Sequence, residues 1–263
     1  MYSRHRITTR GIMLIATLAA VYTILRIIPI FPMIGVPGAR FSASDSVASL
    51  YGVILGPYAS SLCIILGTFI GYFVGRPPVF YGLDFLPATV NSLIVGSIVR
   101  GRRKPALLAY FILLILFSVH PLAPTLIPAK AFFNQSEVVF PFVWMHVLGL
   151  IVLVSPLGSR IASLITRSSV TLLALGFSLA SFIGTLSQHL MGNLLFASLI
   201  YPFLPEQTRI GYWEIIFWLY PIERIMIVVL STVIGVPLIR ALRSSGVFPL
   251  RGISEVEVSQ TQI

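Results

Sequence analysis

The sequence predicts an all-α integral membrane protein, a bundle of six to eight transmembrane helices whose N and C termini both lie in the cytoplasm. Hydrophobic residues make up 57% of the 263 residues and charged residues only 10%, and the mean hydropathy is +0.96. These values lie far outside those of soluble domains. The apolar residues form long runs without the strict alternation of a membrane β-barrel strand, so the runs are interpreted as helices.

Eight apolar segments are candidates for crossing a bilayer, although the second is short. The first segment follows Arg4, Arg6 and Arg10, but it is longer than the apolar region of a signal peptide and has no small-residue cleavage site. The single cysteine, Cys63, lies inside an apolar run, so neither a disulfide framework nor a thiolate metal site is expected. The segments cover residues 11–31, 44–56, 58–75, 83–99, 106–126, 140–157, 169–200 and 214–240.

The basic residues indicate how these segments are oriented. With the N-terminus inside, twelve of the eighteen Lys and Arg residues fall on the cytoplasmic side, as the positive-inside rule expects. They flank the apolar segments and do not form one soluble basic face, so anionic membrane lipids, and not nucleic acid, are the expected partners. The twelve are Arg4, Arg6, Arg10, Arg100, Arg102, Arg103, Lys104, Arg160, Arg167, Arg240, Arg243 and Arg251.

The outer half of the predicted bundle has a different composition, because it mixes both signs of charge. This mixture favours recognition of a ligand from the outside. The outer charges are Arg26, Arg40, Arg76, Lys130, Arg209 and Arg224 together with Asp45, Asp84, Glu137, Glu206, Glu214 and Glu223.

A Pro/Gly-rich polar loop follows the first apolar segment. Three prolines and two glycines between residues 29 and 38 exclude a continuous helix there. Irregular backbone beside a membrane persists only at the interface or where it lines a cavity. We therefore interpret the loop as a lid beside a pocket for a small molecule. Its candidate residues are Phe31, Gly35, Pro37 and Arg40.

Further features occur in a fixed order within residues 11–105. The first segment, GIMLIATLAAVYTIL, carries Ala16 and Ala20 at a four-residue interval. Small residues at this spacing allow close approach of another helix, which belongs either to a partner subunit or to the same protein. The lid loop comes next. A Gly56-Pro57 turn then interrupts YGVILGPYASSLCIILGTFIGYF, and DFLPATVNSLIVGSIVRGRRK carries Gly96 near its inner end before a basic turn.

This ordered set resembles the membrane-embedded substrate-binding (S) component of energy-coupling factor (ECF) vitamin transporters. The last two apolar segments are similar in outline to that family's last two helices. The resemblance implies a protein of the cell membrane that captures a vitamin-sized molecule and has no cofactor. Its partners would be a transmembrane coupling (T) subunit, packed on Ala16 and Ala20, and two ABC-type ATPases that supply the energy.

The same resemblance shapes the domain organisation. The core of that family usually has six helices, whereas eight apolar segments are found here. Residues 105–167 would then be a possible inserted helical pair within a single transmembrane domain, residues 1–243. Residues 244–263 form a polar cytoplasmic tail in this interpretation.

Polar side chains in the last two segments are candidate substrate-binding residues. His189 and Asn193 share a helix face at i, i+4 spacing, and Gln188 lies about 100° around the helix from His189. Such groups face protein or water, so they fit either a pocket or an interhelical hydrogen bond. Glu223 and Arg224 form the deepest ionisable pair, which fits either ligand contacts or a structural ion pair. As ligand contacts, Glu223 would meet a cationic ring and Arg224 a carboxylate or phosphate.

Three earlier side chains complete the candidate set. Asn91, Trp144 and His146 are of the types that stack on or hydrogen-bond to a heteroaromatic ligand, although tryptophans near segment ends are also typical interfacial anchors. Asp45 and Asp84 stand at predicted helix starts, where capping of free N–H groups is the expected role.

Enzyme signatures are absent from the sequence. It has no Gly-x-Ser-Gly nucleophile turn, no Walker-type phosphate loop and no metal-ligand pair on a helix. We therefore expect neither catalysis nor a bound metal. A stand-alone secondary carrier, an intramembrane enzyme and a membrane scaffold stay open as alternatives to a capture subunit.

Overall fold

A computed structural model describes residues 9–34, 36, 38–130 and 137–246. Within these residues the chain forms nine α-helices and two antiparallel β-hairpins. The hairpin strands are β1 (Pro29–Pro32), β2 (Arg40–Ser42), β3 (Leu126–Lys130) and β4 (Glu137–Pro141). The helices are α1 (Thr9–Ile27), α2 (Ala48–Leu55), α3 (Pro57–Phe73), α4 (Phe85–Val99), α5 (Arg103–Ser118), α6 (Trp144–Val154), α7 (Pro156–Thr166), α8 (Val170–Leu195) and α9 (Glu206–Ser244).

The all-α prediction is confirmed in its coarser form, because the bundle is helical and contains membrane-length apolar helices. Among the described residues, two helical stretches are long and apolar enough to cross a membrane, Val170–Phe203 and Gly211–Ser244. A third span exists if α6 and α7 count as one helix pair, although they meet at 70°. The bend falls at Pro156, which has no N–H to continue the helix and instead begins α7.

Several predicted segment bounds differ from the observed helices. The first helix ends at Ile27, because the prolines of β1 follow, and the lid loop is a hairpin in its described part. The fifth helix ends at Ser118, and the β3–β4 hairpin follows it instead of a helix reaching residue 126. The last helix begins eight residues earlier than predicted, at Glu206 and not at 214. Local β pairing and a polar first turn give no apolar signal, so segment hydropathy missed them.

Glycines bring α2, α3 and α4 into backbone contact. Gly56 has φ +75° between α2 and α3, a backbone conformation that side chains disfavour, and Pro57 starts α3 as its first residue. A Cβ on Gly96 of α4 would lie 2.5 Å from the Pro57 nitrogen and 2.7 Å from the Gly56 carbonyl carbon. A Cβ on Gly52 of α2 would lie 2.7 Å from the Ser92 carbonyl oxygen. The predicted Gly-Pro turn and Gly96 therefore form one tight junction.

Arginines close one end of the bundle, which we call the basic end. Arg100 donates to the Leu55 carbonyl at the end of α2, over 3.0 Å. Arg103 donates to the carbonyls of Leu153 and Ser155, at 2.7 and 3.0 Å, where α6 ends. Because cations and free carbonyls attract each other at helix C-termini, these contacts stabilise the helix ends. Arg243 of α9 donates to the carbonyls of Ile165 and Arg167 in the same way.

The region interpreted as a possible insertion, residues 105–167, contains α5, the second hairpin, α6 and α7, and these helices pack on α4 and α8. Aromatic rings attach it to α9. Phe142 stacks on Tyr220 at 5.6 Å between ring centroids, and the Tyr220 hydroxyl donates to the Phe142 carbonyl at 3.0 Å. Trp213 donates through Nε1 to the Leu122 carbonyl at 3.1 Å. The region is therefore part of the same core as the remaining helices.

Candidate functional site

A cavity of about 100 Å³ lies at the end of the bundle opposite the basic end. Its walls come from the last turns of α1, the β1–β2 hairpin, the loop before α4, the first turns of α4, the last turns of α8 and the first half of α9. These elements are distant in the sequence and meet only through the packing of the bundle. The lining mixes aromatic and aliphatic side chains with a convergent set of polar ones, as small-molecule sites do.

The β1–β2 hairpin, where a lid was predicted, forms one side of the cavity. Its role as a lid stays a prediction. Met33, Ile34, Arg40 and Phe41 line the cavity from this side. The Arg76 guanidinium, from the loop before α4, donates to the Arg40 carbonyl and so fastens the hairpin to that loop. Phe31 of the predicted lid set is half-buried but is not a lining residue, and Gly35 and Pro37 lie outside the described residues.

A chain of amide and carboxylate groups supports the cavity floor. Ser49 donates to Asn91 Oδ1 at 2.8 Å, and Asn91 Nδ2 donates to Gln188 Oε1 at 2.8 Å. Gln188 Nε2 then donates to Asp45 Oδ1 at 2.6 Å. Asn91 is fully buried behind the wall, so it positions Gln188 and does not itself face the cavity. This series of hydrogen bonds connects α2, α4, α8 and the turn before α2, and it fixes the orientation of the Gln188 side chain.

Replacing Gly184 by alanine tests the contribution of this hydrogen-bonded series to stability. A Cβ at Gly184 would overlap Asn91 Oδ1 and approach the Ser49 hydroxyl to 2.9 Å, so it would displace Asn91. We expect the free energy of unfolding to fall by about 1–3 kcal/mol, as for other overpacked cores. Gly211→Ala is the control, since its Cβ would meet no atom within 4 Å. A Gly184→Ala protein as stable as this control would contradict the proposed role of the chain.

Two histidines stand side by side against Tyr220. His146 Nε2 and His189 Nδ1 are 3.0 Å apart, and their rings are parallel to within 2° at a centroid distance of 5.2 Å. Asn193 Nδ2 also lies 3.4 Å from His189 Nδ1. The amide is a donor, so His189 Nδ1 accepts from both neighbours and the His189 proton sits on Nε2. Only His189 of this pair lines the cavity, and it offers an N–H there.

Glu223 and Arg224 pair with each other at 3.5 Å between Oε2 and Nη2. Arg224 is 1% exposed, donates to Thr185 Oγ1 at 3.3 Å, and places its guanidinium carbon 5.3 Å from the centroid of the Phe41 ring. It therefore links α9 to α8 and to the lid. Both side chains line the cavity, so the pair is at once structural and accessible to a ligand.

Three further arginines surround the cavity. Arg26, on the last turn of α1, is 7% exposed and lies 5.9 Å from the Tyr72 ring centroid, whereas Arg40 is exposed and Arg76 is half-buried. Burial and, next, the charge of Arg26 lower the pKa of Arg76, and the charge of Asp45 acts in the opposite direction. Arg26, Arg40 and Arg76 all line the cavity.

Five of the eight predicted substrate-binding residues meet at this cavity: Gln188, His189, Asn193, Glu223 and Arg224. Asn91 and His146 stand one layer behind them, and Trp144 is 37% exposed and is not a lining residue. The lid residue Arg40 lines the cavity as well. Six further lining residues were not named as site residues, although the four charged ones were counted among the outer charges that favour recognition. The six are Tyr22, Arg26, Asp45, Arg76, Phe80 and Asp84.

The two aspartates illustrate how the expected capping roles turn out. Asp45 accepts the Ser42 N–H at 2.9 Å in a capping box, so its predicted role is confirmed, with the Gln188 contact in addition. Asp84 is the N-cap residue of α4, as its predicted place at a helix start requires, but its side chain makes no capping bond to α4, so the predicted capping is wrong. It accepts instead from the N–H groups of Val79 and Phe80, at 2.9 and 3.1 Å, and shapes the preceding loop.

Fold and cavity define a helical protein with membrane-length apolar helices and a candidate site of mixed polar and apolar lining. Among the described residues, no three His, Cys, Asp or Glu side chains converge as metal ligands. No family model matches the sequence, and no solved structure does. An uncharacterized protein of Methanocaldococcus jannaschii is 22% identical over 182 residues. The match covers 69% of this chain and 56% of that protein, so this chain spans little more than half the length of the relative that it matches.

Proposed function

We propose that the chain is the membrane-embedded capture subunit of an ECF-type uptake transporter for a small, vitamin-like molecule. The observation that carries this proposal is the cavity of mixed polar and apolar lining at the end of the bundle opposite the basic end. With basic residues inside, the cavity opens to the outside of the cell, where a nutrient would arrive. No catalytic role is proposed for its residues.

Exposed apolar side chains support a multi-pass arrangement of six to eight spans in the cell membrane. On α5, Leu108, Phe111, Ile112, Ile115 and Leu116 are all at least 43% exposed, at helical spacing along one face. Comparable faces run along α1, α3 and α9. A soluble protein would leave such continuous apolar faces in contact with water, whereas lipid solvates them at no cost. α1 and α3, with 19 and 17 residues, belong to the shorter apolar helices and lie near the lower limit of length for a span.

The exposed small residues of α1 support the proposed contact with a coupling subunit. Ala19 is buried against α3, where a Cβ on Gly67 would lie 2.8 Å from the Ala19 carbonyl. Ala16 and Ala20 are exposed and therefore not used for packing within the described part of the chain. This separation favours a partner contact for the pair over internal packing.

Bulky residues on this face provide a test. We expect the double variant Ala16→Trp/Ala20→Trp to lose co-purification with the coupling subunit and the ATPases, because the backbone of another helix can no longer approach. The single variant Ala241→Trp is the control, since Ala241 is an exposed alanine on α9. Ligand binding should survive in all of these variants. Undiminished co-purification of the double variant would exclude this face as the contact.

Uptake into proteoliposomes tests the function itself. The chain reconstituted with its coupling subunit and ATPases should accumulate solute only when ATP is present on the side of the membrane that carries the ATPases. The chain alone should bind solute but not accumulate it, whatever ion gradient is applied. Accumulation by the chain alone under an ion gradient would identify a secondary carrier and refute the capture-subunit proposal.

A further inference from the structure

The hydrogen-bond acceptors and donors of the cavity differ in how many of them have partners within the protein. Four arginines and three carboxylates line the cavity, which gives the site an excess of positive charge. Which of these groups have protein partners, and which are left for a ligand, decides what the site can bind. Buried polar groups without partners are costly, so a ligand is expected to complete them.

The carboxylate oxygens of the cavity are nearly all occupied. Asp45 accepts from Ser42 and Gln188, one bond on each oxygen. Asp84 accepts from backbone N–H groups on both oxygens and lies 3.3 Å from the Tyr72 hydroxyl. Gln188 Oε1 accepts from Asn91. Among the described residues, Oε1 of Glu223 is the one lining carboxylate oxygen with no hydrogen bond.

Three donors on cavity-lining residues, by contrast, have no acceptor among the described residues. Arg26 Nε and Arg224 Nε are buried and have no hydrogen-bond partner, although both side chains are more than nine-tenths buried and line the cavity. The Nε2–H of His189, protonated because Nδ1 accepts from His146 and Asn193, makes no hydrogen bond with a described residue. Arg26, His189 and Arg224, from α1, α8 and α9, therefore line one cavity, and each carries an N–H without an acceptor among the described residues.

We infer that the substrate of this cavity is a small oxyanion, a carboxylate or phosphate, held by Arg26, His189 and Arg224. This assignment rests on the proposed capture function, because it names the chemical class of the molecule captured. Charge-assisted hydrogen bonds from guanidinium groups are the strongest available to such a ligand. The free Oε1 of Glu223 further selects an anion that carries a hydroxyl or N–H donor near its charged group.

Arg40 and Arg76 add positive charge at the lid side of the cavity, and this charge also favours anions. Both line it at the lid, one exposed and one half-buried. Positive charge around a narrow opening raises the local concentration of anions and their rate of entry. The Phe41 ring, which already stacks near Arg224, and Phe80 offer apolar contact to the uncharged part of the ligand.

Three probes of one shape and different charge test the assignment: benzoate, benzamide and benzylamine. The full-length protein in detergent is titrated with each, and binding is followed calorimetrically. Benzoate should bind about tenfold more tightly than benzamide or better, because a charged hydrogen bond replaces a neutral one. Benzylamine should bind more weakly still. Equal binding of the three, preference for the neutral or cationic probe, or no binding at all would overturn the assignment.

Matched variants locate the preference in the cavity. Arg26→Gln should reduce the benzoate-to-benzamide ratio about tenfold, and the paired variant Glu223→Gln/Arg224→Gln should abolish it without leaving a lone buried charge. Arg102→Gln, which removes the same charge at the exposed basic end, should leave the ratio unchanged. An unchanged ratio in Arg26→Gln and in the paired variant would overturn the assignment.

The two proposals fail differently. A neutral or cationic nutrient recovered from the purified protein, without benzoate preference, would preserve capture and overturn the anion assignment. Benzoate preference that depends on Arg26, in a chain that accumulates solute without ATPases, would preserve the anion site and refute the capture-subunit function.

Discussion

Replacing Arg224 by methionine is expected to lower the free energy of unfolding by about 3–5 kcal/mol, because it leaves a buried carboxylate without its partner. Glu223 is 5% exposed, and its one ion pair in the described structure is with Arg224. The substitution also removes the contacts to Thr185 and Phe41 that join α9 to α8 and the lid. Methionine preserves much of the side-chain volume, so the loss reflects charge and hydrogen bonding more than packing.

Cys63 provides the measurement. It is the one cysteine of the sequence and is fully buried in α3, so a maleimide dye reacts with it only when the helix bundle opens. Heating the protein with the dye gives the unfolding temperature of each variant in detergent. The double variant Glu223→Gln/Arg224→Met should recover most of the lost stability, since neither buried charge remains. A single Arg224→Met variant as stable as the wild type would contradict a structural role for the pair.

Gly96→Leu is the second substitution with a large expected effect. The atoms that face its missing Cβ are backbone atoms of Gly56 and Pro57, which cannot move aside as a flexible side chain could. We expect a loss of about 3 kcal/mol or more in unfolding free energy, at the upper end for overpacked cores. The expected result is a protein that misfolds in the membrane or reacts with the dye at a much lower temperature.

Gly211→Leu supplies the matched control, because a Cβ at this helical glycine would meet nothing within 4 Å. It makes the same chemical change at an open position of α9. If both variants melt alike, the junction between α2, α3 and α4 does not depend on the close approach at Gly96.

The sequence predicted most of the helices because long apolar runs carry a strong signal. It also predicted the Gly-Pro turn, since a glycine of positive φ followed by a proline breaks a helix in a recognisable way. The hairpins were missed because short β pairing between prolines leaves no periodic pattern. The crossing number, six to eight, stays a prediction, and the described structure contains two or three membrane-length spans.

The site was predictable where polar residues interrupt apolar helices, as at Gln188, His189 and Glu223. Arg26 shows the same signal, because it is a charged residue on the last turn of an apolar helix, and such charges are candidate site residues. Arg76 and Asp84 were not predictable in this way. Both lie in a polar loop before α4, where a charged residue is ordinary, and only the folded loop brings them to the cavity.

The central claim, capture of a small molecule, is tested most directly by identifying what the protein holds. The full-length chain is incubated with a metabolite extract of its native cells, washed, denatured, and the released molecules are identified by mass spectrometry. We predict near-stoichiometric release of one small solute from the wild type and from Arg102→Gln, and its loss from Arg26→Gln. Release of no solute from the wild type would contradict the claim that the protein captures a small molecule, whereas equal release from Arg26→Gln would overturn the anion assignment alone.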